Sequence, residues 1–212
     1  MKLEIFPNGI YGAITYLIYD EKSKDAAIVD CTSSINEIKK IVQEQNLNVK
    51  YILITHGHFD HVYCTHEMKK TFPNALILMH KDDLELLENL EVQCSIAGVE
   101  NTKIPCVDGL VDENSKNLKL GDQEIEVIAT KGHSKGGVCY LIGKILFSGD
   151  TLFQNSIGRY DLWGGSEAEL KECITKKIFT LDEDIIVYPG HGDFTTIKEE
   201  KLNNPYFGER YC

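Results

Sequence analysis

Positive charge is what this 212-residue chain has least of: 22 Lys and Arg stand against 33 Asp and Glu, a formal net charge of −11. Phosphate backbones are bound mainly through Lys and Arg, so neither a nucleic acid nor an anionic membrane surface is expected as a partner. Long apolar runs are missing too. The opening MKLEIFPNGIYGAITYLIYDEK is broken by Glu4, Pro7, Asn8 and Gly9 before it reaches signal-peptide length, and no later stretch approaches a membrane span. A cytoplasmic protein is the expectation. The seven cysteines (Cys31, Cys64, Cys94, Cys106, Cys139, Cys173 and Cys212) are odd in number, scattered and without a C-x-x-C pair. They read as free thiols in a reducing compartment, mostly filling apolar space. Internal repeats, low-complexity tracts and shifts of composition are also absent, which predicts one domain over residues 1–212.

What is present is a series of short, β-branched apolar runs bounded by turn residues: ITYLIYD, DAAIVD, VKYILIT, ALILMH, EIEVIAT, VCYLIG, KILFSGD and DIIVYPG. These read as strands. Between them SSINEIKKIVQEQN carries helical spacing, with Ser33 or Ser34 as a cap and Ile35, Ile38, Ile41 and Val42 on one face. EAELKECITKKIF after Ser166 is a second helix, and HEMKKTF and DDLELLENL are weaker ones. The layout is mixed α/β without a regular βαβ repeat. Residues 91–116 carry the least pattern and read as a long covering loop.

The chemistry concentrates in THGHFDHVYCTH, Thr55 to His66, which holds four of the seven histidines. It begins where the buried run VKYILIT ends, at the carboxyl end of a strand, where α/β proteins place ligands. His56 and His58 are two apart, so in an extended segment both side chains leave one side and can grip one ion. Asp60 and His61 follow and can turn toward a second position. Three later strand ends each supply another donor in a glycine-rich turn: His133 in KGHSKGG, Asp150 in SGDTLF and His191 in PGHGDF. Five His and two Asp suffice for two divalent ions sharing a carboxylate and a water. His66 and His80 remain, and read as solvated or capping residues.

T-H-x-H-x-D-H, followed by G-H-S, S-G-D-T-L-F, G-R-Y-D and P-G-H-G, resembles the metallo-β-lactamase superfamily over about Thr15 to Pro205. Within it, SGDTLFQNSIGRYDLWGGS and YPGHGDFTTIKEEKLNNPYF are similar to signatures of the glyoxalase II group, the hydroxyacylglutathione hydrolases, in its short form. The resemblance implies an αββα sandwich, two mixed β-sheets flanked by helices, with the metals at one edge between the sheets. It implies that His56, His58 and His133 hold a first metal and Asp60, His61 and His191 a second, with Asp150 bridging. Two departures stand out. Tyr63 and Cys64 occupy places where the family has glycine, which predicts a narrower pocket floor or a tilted following helix. The C-terminal helical domain that carries glutathione-binding cations in larger members is expected to be missing, so the carrier thiol need not be glutathione.

A divalent ion lowers the pKa of bound water from about 15.7 to about 7, and a second ion can clamp the resulting hydroxide together with a developing oxyanion. A small-molecule thioester is the expected substrate, since a thiolate leaves with little protonation. Zinc is the first candidate, and iron or manganese suits the same donors. Asp60 is the candidate catalytic residue, binding metal and orienting the hydroxide. Arg159 and Lys135 are candidate substrate contacts: Arg159 could hold a carboxylate bidentately or be locked to Asp161, and Lys131, Lys135 and Lys198 could form a cationic rim. Phe153, Tyr160 and Trp163 could wall a pocket or simply pack. The nearest alternative is a mononuclear iron persulfide dioxygenase of the same superfamily. A nuclease is disfavoured by charge, and a non-enzymatic scaffold by the cost of burying His and Asp with no metal.

Overall fold

The computed structural model describes residues 1–207; Cys212 lies outside them. Twelve of its fourteen strands fall into two six-stranded sheets. The first contains β1 (Lys2–Phe6), β2 (Thr15–Tyr19), β3 (Asp25–Val29), β4 (Asn48–Leu53), β5 (Leu76–His80) and β6 (Gly109–Val111), side by side in chain order. Pairing is antiparallel from β1 to β3 and parallel from β3 to β6. Then come β7 (Lys119–Leu120), β8 (Gln123–Ala129), β9 (Val138–Ile142) and β10 (Ile145–Gly149), a ribbon of β11 (Leu152–Phe153) and β12 (Ser156–Ile157), and finally β13 (Ile186–Pro189) and β14 (Thr195–Thr196). The second sheet is ordered β14-β13-β10-β9-β8-β7, with only β10 and β13 parallel.

Near-continuous apolar strands need cover on both faces, and alternation along each strand assigns the cover. Tyr16, Ile18, Ala27, Val29, Tyr51 and Leu53 of the first sheet meet Val127, Tyr140 and Phe147 of the second in a core between the sheets. Their neighbours Leu17, Ile28 and Ile52 point the other way, onto Ile38 and Val42 of helix α1 (Ile35–Gln45) and Met68, beyond the short α2 (Phe59–Val62), on α3 (Thr65–Thr71). A third cluster covers the far side of the second sheet. There Cys139, Leu146 and Val187 pack with Leu170 and Ile197, which lie on two later helices. The result is an αββα sandwich.

Three expectations are corrected. Ser34 occupies the position before α1 but has φ 61°, and neither it nor Ser33 caps the helix; Ser33 Oγ meets Ser34 Oγ instead. The stretch DDLELLENL continues further than its pattern suggests, through α4 (Leu84–Glu88) into α5 (Leu90–Ala97), so residues 91–116 are not one loop. Helix α5 leaves Val92 and Ile96 exposed, which is why no apolar stripe marks it, and Gly98 ends it with φ 69°. The same stretch also contributes β6, too short to carry a period of its own.

The remaining helices are α6 (Glu167–Cys173), capped by Ser166, and α7 (Ile197–Asn203), capped by Thr196. The six cysteines among the described residues are free thiols. No helix among those residues is long and apolar enough to cross a membrane.

Candidate metal centre

Topology brings four strand ends to one edge. Strands β8 and β10 both run antiparallel to β9, and β13 runs parallel to β10, so all three finish on the same side. The end of β4 is tied to them where Val138 N–H donates to Thr55 O at 2.9 Å. The loops after these strands carry His56 and His58, His133, Asp150 and His191. All seven predicted donors come together, in three groups whose candidate ligand atoms lie within 4.8 Å of one another: His56, His58 and His133; His56, His61 and Asp150; Asp60, His61 and His191.

The hydrogen bonds around the imidazoles assign their free nitrogens. His133 Nδ1 lies 2.7 Å from Arg159 O, His61 Nδ1 2.8 Å from Asp30 Oδ2, and His191 Nδ1 3.3 Å from Tyr11 O. His56 Nδ1 lies 3.0 Å from Thr55 Oγ1, whose own proton goes to Asp30 Oδ2 at 2.8 Å. Each outer partner accepts, so each Nδ1 donates and each Nε2 is turned inward as the free donor atom, the arrangement that orients metal-binding histidines. The inward atoms then crowd one another. His133 Nε2 is 2.8 Å from His58 Nδ1 and 3.2 Å from His56 Nε2, and His61 Nε2 is 3.2 Å from His191 Nε2.

Facing lone pairs, as between His133 and His56 and between His61 and His191, need a proton or a cation between them. Asp150 stands among them, 3.3 Å from His61 Nε2, 3.5 Å from His133 Nε2 and 3.7 Å from His191 Nε2. Its Oδ1 is buried, and the His61 Nε2 contact at 3.3 Å is too poorly directed to count as a hydrogen bond. A Cβ on Gly190 would collide with that oxygen and with the His61 ring, so glycine is required there. The donor set therefore fits two divalent cations.

Electrostatics agree with that fit. Burial, then the neighbouring imidazoles of His61 and His133, push His56 well below the usual imidazole range; burial and His133 bring His58 down to about 3. Both stay neutral, as ligands must. Burial raises Asp150 and Asp60, but the surrounding histidines outweigh it and hold both carboxyls below their ordinary value. His61 and His191 are pushed up against their burial by Asp150 with Asp30 and by Asp60 with Asp150, respectively. Those are positions at which a cation takes the place of a proton.

Two carboxylates essential to this geometry escaped sequence reasoning. Asp30 accepts Thr55 N–H and Thr55 Oγ–H, both at 2.8 Å, as well as His61 Nδ1–H, and holds a left-handed φ of 55° while buried. It closes DAAIVD as the other site residues close their strands, and that position was the available signal. Asp83, buried beside the His58 loop, lies in a weakly patterned helical stretch that gave none.

The rim is arranged differently. Arg159 pairs with Asp161 through two contacts of 3.0 Å, both side chains exposed, while its carbonyl holds His133. Lys135 pairs with Glu85 at 3.0 Å and, with Trp163, Leu86 and Asp82, borders a small pocket; Lys131 pairs with Glu169 at 2.6 Å. Phe153 stacks edge-on to His191, and Tyr160 packs on the third core cluster. Tyr63 donates to Glu100 O and the Cys64 thiol lies on Thr32 O, so neither belongs to the ligand groups. His80 accepts Asp82 N–H as a cap, and His66 lies beside Glu67.

Comparison with known proteins agrees with this architecture. The chain is 33% identical over 212 residues to the hydroxyacylglutathione hydrolase GloC of Haemophilus influenzae, covering 99% of this chain and 100% of that protein. The crystal structure of the BLEG-1 B3 metallo-β-lactamase superposes with a TM-score of 0.87 at 34% identity, over 97% of this chain and 99% of that one. TTHA1623, solved in a di-iron-bound form, gives 0.83 at 29% identity over 95% and 100%. The model of the metallo-β-lactamase superfamily matches residues 12–191, which takes in all seven donors, and this chain is a member of that superfamily.

Proposed function

We propose that this metallo-hydrolase is a thioesterase of the glyoxalase II type, cleaving S-acyl conjugates of a small thiol with two divalent ions, zinc first among them. His56, His58 and His133 would hold one ion, Asp60, His61 and His191 the other, and Asp150 would lie between them. The observation that carries this reading is the inward crowding of free imidazole nitrogens around a buried Asp150 oxygen that has no well-directed hydrogen bond. The group of His56, His61 and Asp150 takes one histidine from each of the other two, as a shared carboxylate requires.

When bound, the ions supply a nucleophile at neutral pH and an electrophile for the carbonyl. The protein does the rest. Asp60, kept ionised, accepts from the attacking water and fixes its direction, and Asp30 and Thr55 hold the rings of His61 and His56 in their working tautomers. A thiolate leaves without protonation, so no general acid is needed. Arg159 and Lys135 each already hold a carboxylate that a substrate carboxylate could replace. The alternative reading is a mononuclear iron persulfide dioxygenase of the same superfamily, which would leave the Asp60, His61 and His191 group without an ion.

The test is release of thiol from S-lactoylglutathione by zinc-reconstituted protein, with His58→Ala as control. Turnover lost in the variant supports the reading. Inactivity of the metal-replete protein on glutathione and other thiol carriers alike, with oxygen uptake on a persulfide, would replace it with the dioxygenase.

A further inference from the structure

Asp83 ends the short 3-10 turn Lys81–Asp83 after β5 and has no exposed surface. It belongs to none of the three ligand groups, yet it touches two of the loops that supply them. Its Oδ2 accepts Gly57 N–H at 2.8 Å and Ser134 Oγ–H at 2.7 Å, and its Oδ1 accepts Gly136 N–H at 2.6 Å. Gly57 is the spacer between His56 and His58, and Ser134 follows His133. One side chain thus bridges a loop of the first sheet and a loop of the second, and those loops bring His58 Nδ1 and His133 Nε2 to 2.8 Å.

Sterics point the same way independently. A Cβ on Gly57 would lie 2.8 Å from Leu86 Cβ and 2.9 Å from Asp83 O, and one on Gly136 would lie 2.7 Å from Asp83 N. Both loops press so closely on the Asp83 turn that only glycine fits. Gly57 is held on its other polar group as well: Gln93 Nε2 donates to its carbonyl at 3.2 Å, and Phe59 N–H donates to Gln93 Oε1 at 3.1 Å. Two of its three donors are backbone N–H groups that no side-chain change can remove, so the position of both loops depends on this carboxylate. The Asp60, His61 and His191 group is anchored elsewhere, through Asp30.

We propose that Asp83 is a positioning residue for the three-histidine group. It fixes the separation of His58 from His133 and so sets the metal affinity of that group independently of the other. The inference rests on the two-ion reading above.

Cobalt(II) titration of metal-free protein, followed by its visible absorption bands, tests it without reference to activity. Wild type is expected to bind two ions. Asp83→Asn turns an amide N–H toward one of the three donors, and one site is expected to weaken by roughly 10- to 100-fold, as for other outer residues that orient ligands. The bands of the other site should not change. Ser134→Ala removes one donor and leaves the backbone intact; it should weaken the same site by about 3- to 10-fold, and it decides the matter if Asp83→Asn loses its circular-dichroism spectrum. Two ions bound at wild-type affinity by both variants, or equal weakening of both sites, would overturn the role of Asp83 alone. A wild type that takes up no cobalt would remove the two-ion reading itself, and this inference with it.

Discussion

The two ligand groups differ in how they are enclosed. His56, His58 and His133 are buried and held by Thr55 Oγ, the Arg159 carbonyl and, through the loop backbone at Gly57, the Asp83 carboxylate. In the other group His191 keeps 25% of its side chain exposed, Asp60 lies beside it, and the ionic partner Asp30 anchors His61. One group is buried; the other keeps an exposed face at His191, which Tyr11 and Phe153 both contact. Enclosure by fixed dipoles favours retention of an ion, and the open side is where a substrate carbonyl can arrive. Asp150 lies with one histidine from each group, and the groups differ both in donors, with Asp60 standing where the first has a third histidine, and in surroundings.

The strongest test of that contrast deletes one donor from each side. His58→Ala should lower kcat/KM by roughly a thousandfold, since a lost ion removes several kcal/mol of transition-state stabilisation. His191→Ala should cost less, on the order of 10- to 100-fold, because its neighbours Asp60 and His61 remain. Equal losses would erase the distinction.

Chelation comes next. Removing two ions, each present at about 100 times its dissociation constant, should cost the fold about 5.4 kcal/mol, twice the one-site value, read as a fall of roughly 10 to 20 °C in melting temperature for a domain of this size. Addition of zinc should restore it in two phases, with the open group filling last. Asp30→Asn should weaken that second phase by about 10- to 100-fold and the first phase less, because Asp30 also holds Thr55, the partner of His56. The smallest effect is expected at the rim. Arg159→Ala should raise KM and leave kcat and the melting temperature unchanged, because the exposed pair with Asp161 contributes little to the fold.

How much of this was legible in the sequence depended on what kind of group was involved. The seven donors stood out because each closes an apolar run or sits in a glycine-rich turn; the runs themselves implied only a mixed α/β layout, and the sandwich came from the family resemblance that the motifs carry. Asp83 was invisible, since its neighbours LELLEN suggest an ordinary helix and its partners are backbone N–H groups that every residue possesses. The carbonyls of Arg159 and Tyr11 are equally silent for the same reason. Asp30 carried the right signal, an acid at a strand end, but no histidine beside it. Strands β6, β7 and β14 span two or three residues, too few to show alternation, and α5 hides its helical character by leaving Val92 and Ile96 in solvent.

The central claim is that two ions, one in each group, act together on a thioester. Turnover of S-lactoylglutathione followed as zinc is added stepwise to metal-free protein tests it most directly. Activity that climbs until about two equivalents are bound is the predicted result. Activity complete at one equivalent, or none at two, would contradict it.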